Sequence, residues 1–361
     1  MKVSVRETER LAGQAIIAGF EGTTLPSSLE KRLAEGGLGG IILFKRNVTT
    51  PDELSALLSH CRRISPRPVL LGVDQEGGRV VRLKAPFTVL PPARRLGDRD
   101  DVDITLDAGH LVGEELSSVG FNLNFAPVLD VDTNPDSPVI GDRAFADSVD
   151  GVWRHAAPFA AGLIQGGIIP CAKHFPGHGD AALDSHLALP QVTLDDTRLT
   201  EVESAPFRCW VTARMGPVMS AHVIYSAWDP ERPATLSRRI ITGKLRENLD
   251  HDGVVFSDDL EMGALDAFGD TGAVASRALA AGVDALLICR SEEKQAAAIH
   301  AVTERAVVDA RFLGRLREAV SRIYALAVAP RRETPFQWLG SSAHLARQQA
   351  LLARIDELNE A

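Results

Sequence analysis

The 361-residue chain predicts an α/β fold: one (β/α)8 barrel of the TIM type forming a single catalytic domain, with a C-terminal helical extension. Three observations predict it. Eight short apolar or β-branched runs alternate with amphipathic segments, the pattern of parallel strands joined by crossover helices. Runs such as Gly39–Phe44 are continuously apolar, as strands covered on both faces must be. Finally, polar residues sit just past the strand ends, at Asp74, Asp130, Lys173-His174, His222 and Asp258. In a closed barrel these ends converge on one mouth. An open doubly wound sheet gathers ligands at one switch point, and five strand ends are too many for it.

The elements follow in order. Gln14–Phe20 predicts the first strand. Leu25–Glu35 predicts a helix stopped by Gly36-Gly37, and Gly39–Phe44 the second strand. Thr50-Pro51-Asp52-Glu53 opens a helix: Thr50 caps, Pro51 suits the first helical position and Glu53 completes a capping box. Pro68–Val73 is the third strand, Ile104–Val119 a helix and Phe121–Val131 the fourth strand. Trp153–Gln165 is helical and Ile168–Lys173 is the fifth strand. A second capping box, Thr200 to Glu203, predicts a helix running to about Arg214. Pro217–Ala221, Gly253–Ser257 and Asp284–Cys289 complete the strands, with helices at Ser237–Leu249, Ala273–Ala281 and Glu292–Val307. Residues 1–329 are thus assigned to the barrel and 330–361 to a linker and terminal helix. Ser342–Leu358 places Leu345, Leu352 and Ile355 on one stripe, which either packs on the barrel or forms a dimer contact.

Composition narrows the function. Apolar residues make up 45% of the chain, enough for a large core, and the net charge of −9 argues against a nucleic-acid face. No polybasic patch or apolar run of about 18 residues points to a membrane. The four cysteines, at 61, 171, 209 and 289, form no CxxC pair and read as free thiols in a reducing, cytoplasmic setting. A monomer or weak homodimer is expected. No glycine fingerprint of dinucleotide or P-loop type occurs between a strand and a helix.

The densest chemistry lies in Ala172–His186, AKHFPGHGDAALDSH. Lys173 and His174 at a strand end suit hydrogen bonds to ligand hydroxyls, and Asp74 suits accepting them. Asp184 and His186, two apart on a loop, allow the carboxylate to hold the imidazole and favour its protonated form. Asp258 ends a strand and serves as a nucleophile, base or metal ligand. Asp259 beside it points the opposite way, because side chains alternate along an extended segment. Plainer readings are a helix cap for Asp258 and a solvated turn for Asp184 and His186.

Taken together, DQEGGRVVR at 74–82, FAPVLDVD at 125–132, IGDRAF at 140–145, KHFPGHGD at 173–180, DSH at 184–186, AHV at 221–223, PATLS at 233–237 and FSDDLEM at 256–262 resemble the family 3 glycoside hydrolases, specifically the β-N-acetylglucosaminidases of NagZ type, in their one-domain form. The resemblance runs over about residues 10–325. It implies that Asp258 is the nucleophile of a retaining mechanism and that His186, paired with Asp184, is the general acid and then the base. It also implies that Asp74, Arg82, Arg143, Lys173 and His174 hold the hydroxyls and acetamido group of a terminal sugar. The implied substrates are β-linked N-acetylglucosaminides, including muropeptides from peptidoglycan turnover, with no metal and no cofactor. Ala181 replaces a common Thr, and Val81 and Leu83 replace Gln and Phe, which bears on the substrate more than on the reaction class.

Two rivals remain. A phosphorylase on the same fold also suits a histidine, which avoids the charge repulsion a carboxylate imposes on phosphate. A metal-dependent barrel hydrolase would use His174, His178, His186 and Asp258, but Pro176, Gly177 and Gly179 break the helix that such spacing needs.

Overall fold

The computed structural model describes residues 4–134, 137, 139–181 and 189–357. The eight expected strands are present: β1 Ile16–Ala18, β2 Gly40–Leu43, β3 Leu70–Val73, β4 Leu123–Asn124, β5 Ile169–Pro170 continuing after Cys171 as Ala172–Phe175, β6 Val218–Ser220, β7 Val255–Asp259 and β8 Ala285–Ile288. All neighbouring pairs are parallel, and β8 pairs with β1. The break at Cys171 lets one strand serve two neighbours. Ile169 registers with Leu123 of β4, and Ala172 registers with Val218 of β6. The sheet thereby closes into a barrel.

The continuous apolar runs have the reason anticipated for them. One face of each strand fills the barrel: Ile17, Ile42, Leu70, Leu123, Phe125, Met219, Phe256, Ala285 and Leu287 pack there. Phe125 and Phe256 meet edge to face at 5.3 Å. Gly72 of β3 leaves room for this, since a Cβ there would lie 2.9 Å from the Phe125 ring. The other face packs under the helices, in a larger layer that includes Leu33, Leu58, Leu111, Phe159, Trp210 and Leu279.

Helix boundaries differ from expectation where local signals compete. Thr50 caps Pro51–Ile64 by accepting from Glu53 N at 3.2 Å, but the Glu53 carboxylate turns to the Thr49 hydroxyl, so half of the expected box forms. The box at Thr200 does not form. Asp195 caps the segment instead, and Leu199–Glu203 winds as π-helix, which turns Glu203 inward before Ala205–Thr212. Val5–Gln14 and Ala310–Val328 are helices the sequence reading passed over. The fourth strand is shorter than its apolar run, with only Leu123–Asn124 paired in sequence and Val128 bridging to Lys173.

The last helix is Ser342–Asp356. Its inward stripe is His344, Leu351 and Ile355, whereas Leu345, expected on it, is exposed. Cys61, Cys171 and Cys289 are buried free thiols, and Cys209 is half-buried and free. Among the described residues, no helix is long and apolar enough to cross a membrane.

Candidate active site

The strand ends place Asp74, Glu76, Arg82, Arg143, Lys173, His174, His178, Asp258 and Asp259 around one cavity of about 160 Å³ at the C-terminal mouth of the barrel. Six residues singled out in the sequence are therefore brought together: Asp258, Asp74, Arg82, Arg143, Lys173 and His174. Asp184 and His186 lie outside the described residues.

On one wall, Lys173 extends from β5 and is almost wholly buried. Its Nζ sits 2.8 Å from Asp74 Oδ1 and 2.5 Å from Glu76 Oε1. Burial alone would lower the ammonium's pKa, but the two carboxylates hold it above its ordinary value. Arg143 clasps Glu76 in a fork, with Nε and one terminal nitrogen each 2.9 Å from a carboxylate oxygen, and donates to the Val139 carbonyl as well. Burial opposes ionisation of Glu76, yet Arg143 and Lys173 keep it well below the usual carboxylate range. Arg143 thus borders the cavity chiefly as the partner of Glu76. Arg82 stands 3.5 Å from Asp74 and over the Phe44 ring at 5.6 Å. Its Nε is buried with no partner among the described residues, a donor left for a ligand.

On the opposite wall is Asp258. Burial raises its pKa, but His174, His222 and the Asp259 N–H, donated at 2.8 Å, outweigh that and bring it down to about 2. Asp258 is thus an ionised carboxylate facing the cavity. Asp259 borders the same cavity, but its carboxylate is engaged by backbone donors. Its Oδ1 accepts from Glu261 N at 3.1 Å and Cys289 N at 3.2 Å, and burial pushes its carboxyl up to about 6.

Three further residues complete the site. Glu76 lies in the glycine-rich turn after β3. Asp130, fully buried, accepts from the His174 ring at 2.7 Å and from His174 N and His178 N. His222 lies 2.8 Å from Thr235 Oγ1 and 3.0 Å from the Asp259 carbonyl. The last two stand at strand ends noted in the sequence. Glu76 carried only the signal of an acidic residue inside DQEGG. Among the described residues, no three His, Cys, Asp or Glu side chains are grouped to hold a metal ion. His178, which would have been a ligand in that reading, is buried, and burial lowers its pKa to about 4.

Glu203, turned inward by the π-segment, borders this region behind Gly177. Thr133 donates to its Oε1 at 3.2 Å, Arg198 stands at 3.5 Å, and Oε2 has no partner among the described residues. Burial pushes the carboxyl up to about 7, with Asp180 and Asp130 adding to the rise against Arg198 and Thr133. Between the ordinary value of 4.5 and about 7 the folded chain holds a proton that the unfolded chain has released. Stability therefore falls as pH rises through that window. Glu203→Gln is expected to remove this fall and to be more stable than the native chain at pH 8, by on the order of 2 kcal/mol. Near pH 4 the two should agree. Urea denaturation at both pH values checks this, and parallel pH profiles would contradict it.

A closed barrel whose mouth sets an ionised carboxylate opposite a wall of paired charges is an architecture that suits a glycoside hydrolase. The comparisons agree and are more specific. The glycosyl hydrolase family 3 N-terminal domain matches residues 16–326, and the chain belongs to that family. It is 40% identical over 287 residues to a beta-hexosaminidase of Methylococcus capsulatus, covering 79% of this chain and 85% of that protein. It is also 40% identical over 284 residues to a beta-hexosaminidase of Bordetella pertussis, covering 77% and 80%. Among solved structures, the family 3 β-N-acetylglucosaminidase of a Paenibacillus species superposes with a TM-score of 0.88 at 35% identity, over 96% of this chain and 68% of that one. NagZ from Neisseria gonorrhoeae superposes with a TM-score of 0.81 at 30% identity, over 95% and 98%.

Proposed function

We propose that the protein is a retaining exo-β-N-acetylglucosaminidase acting on terminal β-linked N-acetylglucosamine, with muropeptides from peptidoglycan turnover among its substrates. The observation that carries the mechanism is Asp258, ionised and facing the cavity. In the first step a carboxylate oxygen of Asp258 attacks the anomeric carbon. The bond from that carbon to the leaving oxygen breaks, and His186 gives that oxygen its proton. A glycosyl ester on Asp258 results. In the second step water attacks the same carbon, His186 takes the water's proton, and Asp258 leaves as the carboxylate. Asp184 orients the imidazole of His186. A histidine, with an ordinary pKa of about 6.5, suits both directions near neutral pH without a shifted carboxyl.

Lys173 links Asp74 and Glu76, so the wall offers acceptors from both carboxylates and donors from Arg82 and His174 to the sugar hydroxyls. The preference for an N-acetyl sugar is supported by the relatives, one of which was solved with N-trifluoroacetyl-D-glucosamine bound. Residues 1–329 are assigned to the catalytic barrel and 330–361 to a linker and terminal helix. The setting is cytoplasmic.

The test compares aryl β-N-acetylglucosaminide with aryl β-glucoside, each with and without phosphate. Faster cleavage of the acetamido substrate, releasing free sugar in both buffers, is expected. A 1-phosphate sugar as the main product in phosphate would make the protein a phosphorylase. A chelator should leave the rate unchanged, and a loss restored by added metal would overturn the metal-independent mechanism.

A further inference from the structure

We propose that the C-terminal helix Ser342–Asp356 braces the sugar-binding segment 74–92, with His344 as the positioning residue. The proposal rests on the reading of Asp74 and Arg82 as substrate-binding groups. It starts from Glu115, a carboxylate buried in the helix Val102–Val119. A buried carboxylate is costly unless its oxygens are satisfied. Here they accept from Thr88 N at 2.9 and 3.0 Å, from Thr88 Oγ1 at 2.5 Å and from the His344 ring at 2.7 Å. Thr88 and His344 are themselves fully buried. The second ring nitrogen of His344 accepts from Gly340 N at 3.0 Å, so Nε2 carries a proton and donates to Glu115. The Trp338 ring, centred 4.6 Å away, packs against the imidazole.

One turn further along, Gln348 donates to Thr88 Oγ1 at 3.0 Å and to the Pro86 carbonyl at 3.3 Å. Residues 86–88 are thus held between the barrel and the terminal helix. The same segment is tied to the cavity at its other end. Gln75 accepts from Arg82 N and Leu83 N and donates to the Leu83 carbonyl, and Gly78 N donates to the Leu90 carbonyl. A displacement of Thr88 is therefore passed to Arg82 and to the backbone that carries Asp74 and Glu76.

The helix is docked independently of this brace. Arg354 reaches Asp107 at 2.6 Å, and Arg347 pairs with Glu114 and meets His110 at 3.1 Å. Docking and bracing can therefore be separated by mutation. In the full-length chain, His344→Ala is expected to raise KM for aryl β-N-acetylglucosaminide about tenfold, with kcat within about threefold of the native value. Hydrogen exchange at residues 82–90 should accelerate. Gln348→Ala should act in the same direction with a smaller effect, and it keeps the test alive should His344→Ala fail to fold. His344→Gln, which restores a donor to Glu115, should recover most of the native KM. Arg354→Ala should lower Tm and leave KM alone. A merely structural role would lower the active fraction, and so apparent kcat, in both His344→Ala and Arg354→Ala without moving KM; that result overturns the brace. If the native chain cleaves no aryl glycoside, the functional reading has failed, and the exchange rates at 82–90 still decide the brace.

Discussion

Asp258→Asn is expected to lose at least about 100-fold in kcat on any aryl β-N-acetylglucosaminide while keeping a folded barrel. The substitution is nearly isosteric, and the amide oxygen can still accept from Asp259 N. What disappears is the charge that His174, His222 and Lys173 hold in place, and with it the ability to form a glycosyl ester. His186→Ala should behave differently. A good leaving group needs little protonation, so that variant should lose far less on nitrophenyl than on alkyl or sugar aglycones. The pH profile supplies a second check. With Asp258 ionised down to about pH 2, an acid limb of kcat/KM near neutrality must belong to another group. Full activity in Asp258→Asn would sink the covalent mechanism.

The fold was legible because strand and helix patterns in this chain seldom conflict. Parallel strands buried on both faces give short apolar runs, and each of the eight runs proved to be a strand. Their lengths were less legible. Phe121–Val131 is mostly apolar, yet its regular strand is only Leu123–Asn124, with Val128 bridging separately to Lys173 and Asp130 accepting from the backbone of His174 and His178. Local signals misled where a distant partner won. Thr200 to Glu203 matches a capping box, but Asp195 caps instead, and Glu203 is drawn inward beside Thr133. On the last helix, a leucine at 345 was assumed to face inward. The buried position beside it is a histidine, because Glu115, 229 positions earlier, awaits a donor there.

The candidate site was legible where a strand end carries a polar side chain to the cavity, as at Asp74, Lys173 and Asp258. It was illegible where function depends on pairing across the barrel. Glu76 sits in a turn whose glycines explain the backbone, and nothing local shows that Arg143, 67 positions later, clasps it. Asp130 and His222 were visible as strand-end residues. Their roles, orienting His174 and holding the Asp259 carbonyl, come from contacts 44 and 37 positions apart.

Lys173→Met is expected to cost about 3–5 kcal/mol of stability and to abolish sugar binding. Lys173 lies buried between Asp74 and Glu76, and the thioether keeps most of its volume while removing its charge. Glu76 keeps Arg143, but Asp74 is left with Arg82 at 3.5 Å, and two carboxylates now face each other across the space Lys173 neutralised. Leaving buried charges uncompensated is what makes breaking such a pair expensive. The sign of the pH dependence follows from Glu76. Its folded pKa is depressed, so its contribution is complete above the ordinary carboxylate value and is lost as pH falls toward the folded one. The gap between native and Lys173→Met chains should therefore be full at pH 7 and narrow below about pH 4.5, where protonation relieves the mutant's repulsion. Denaturant titrations at pH 7 and pH 4 measure both gaps. A deficit under about 1 kcal/mol at pH 7, or one that is unchanged at pH 4, would mean that Lys173 does not neutralise this wall.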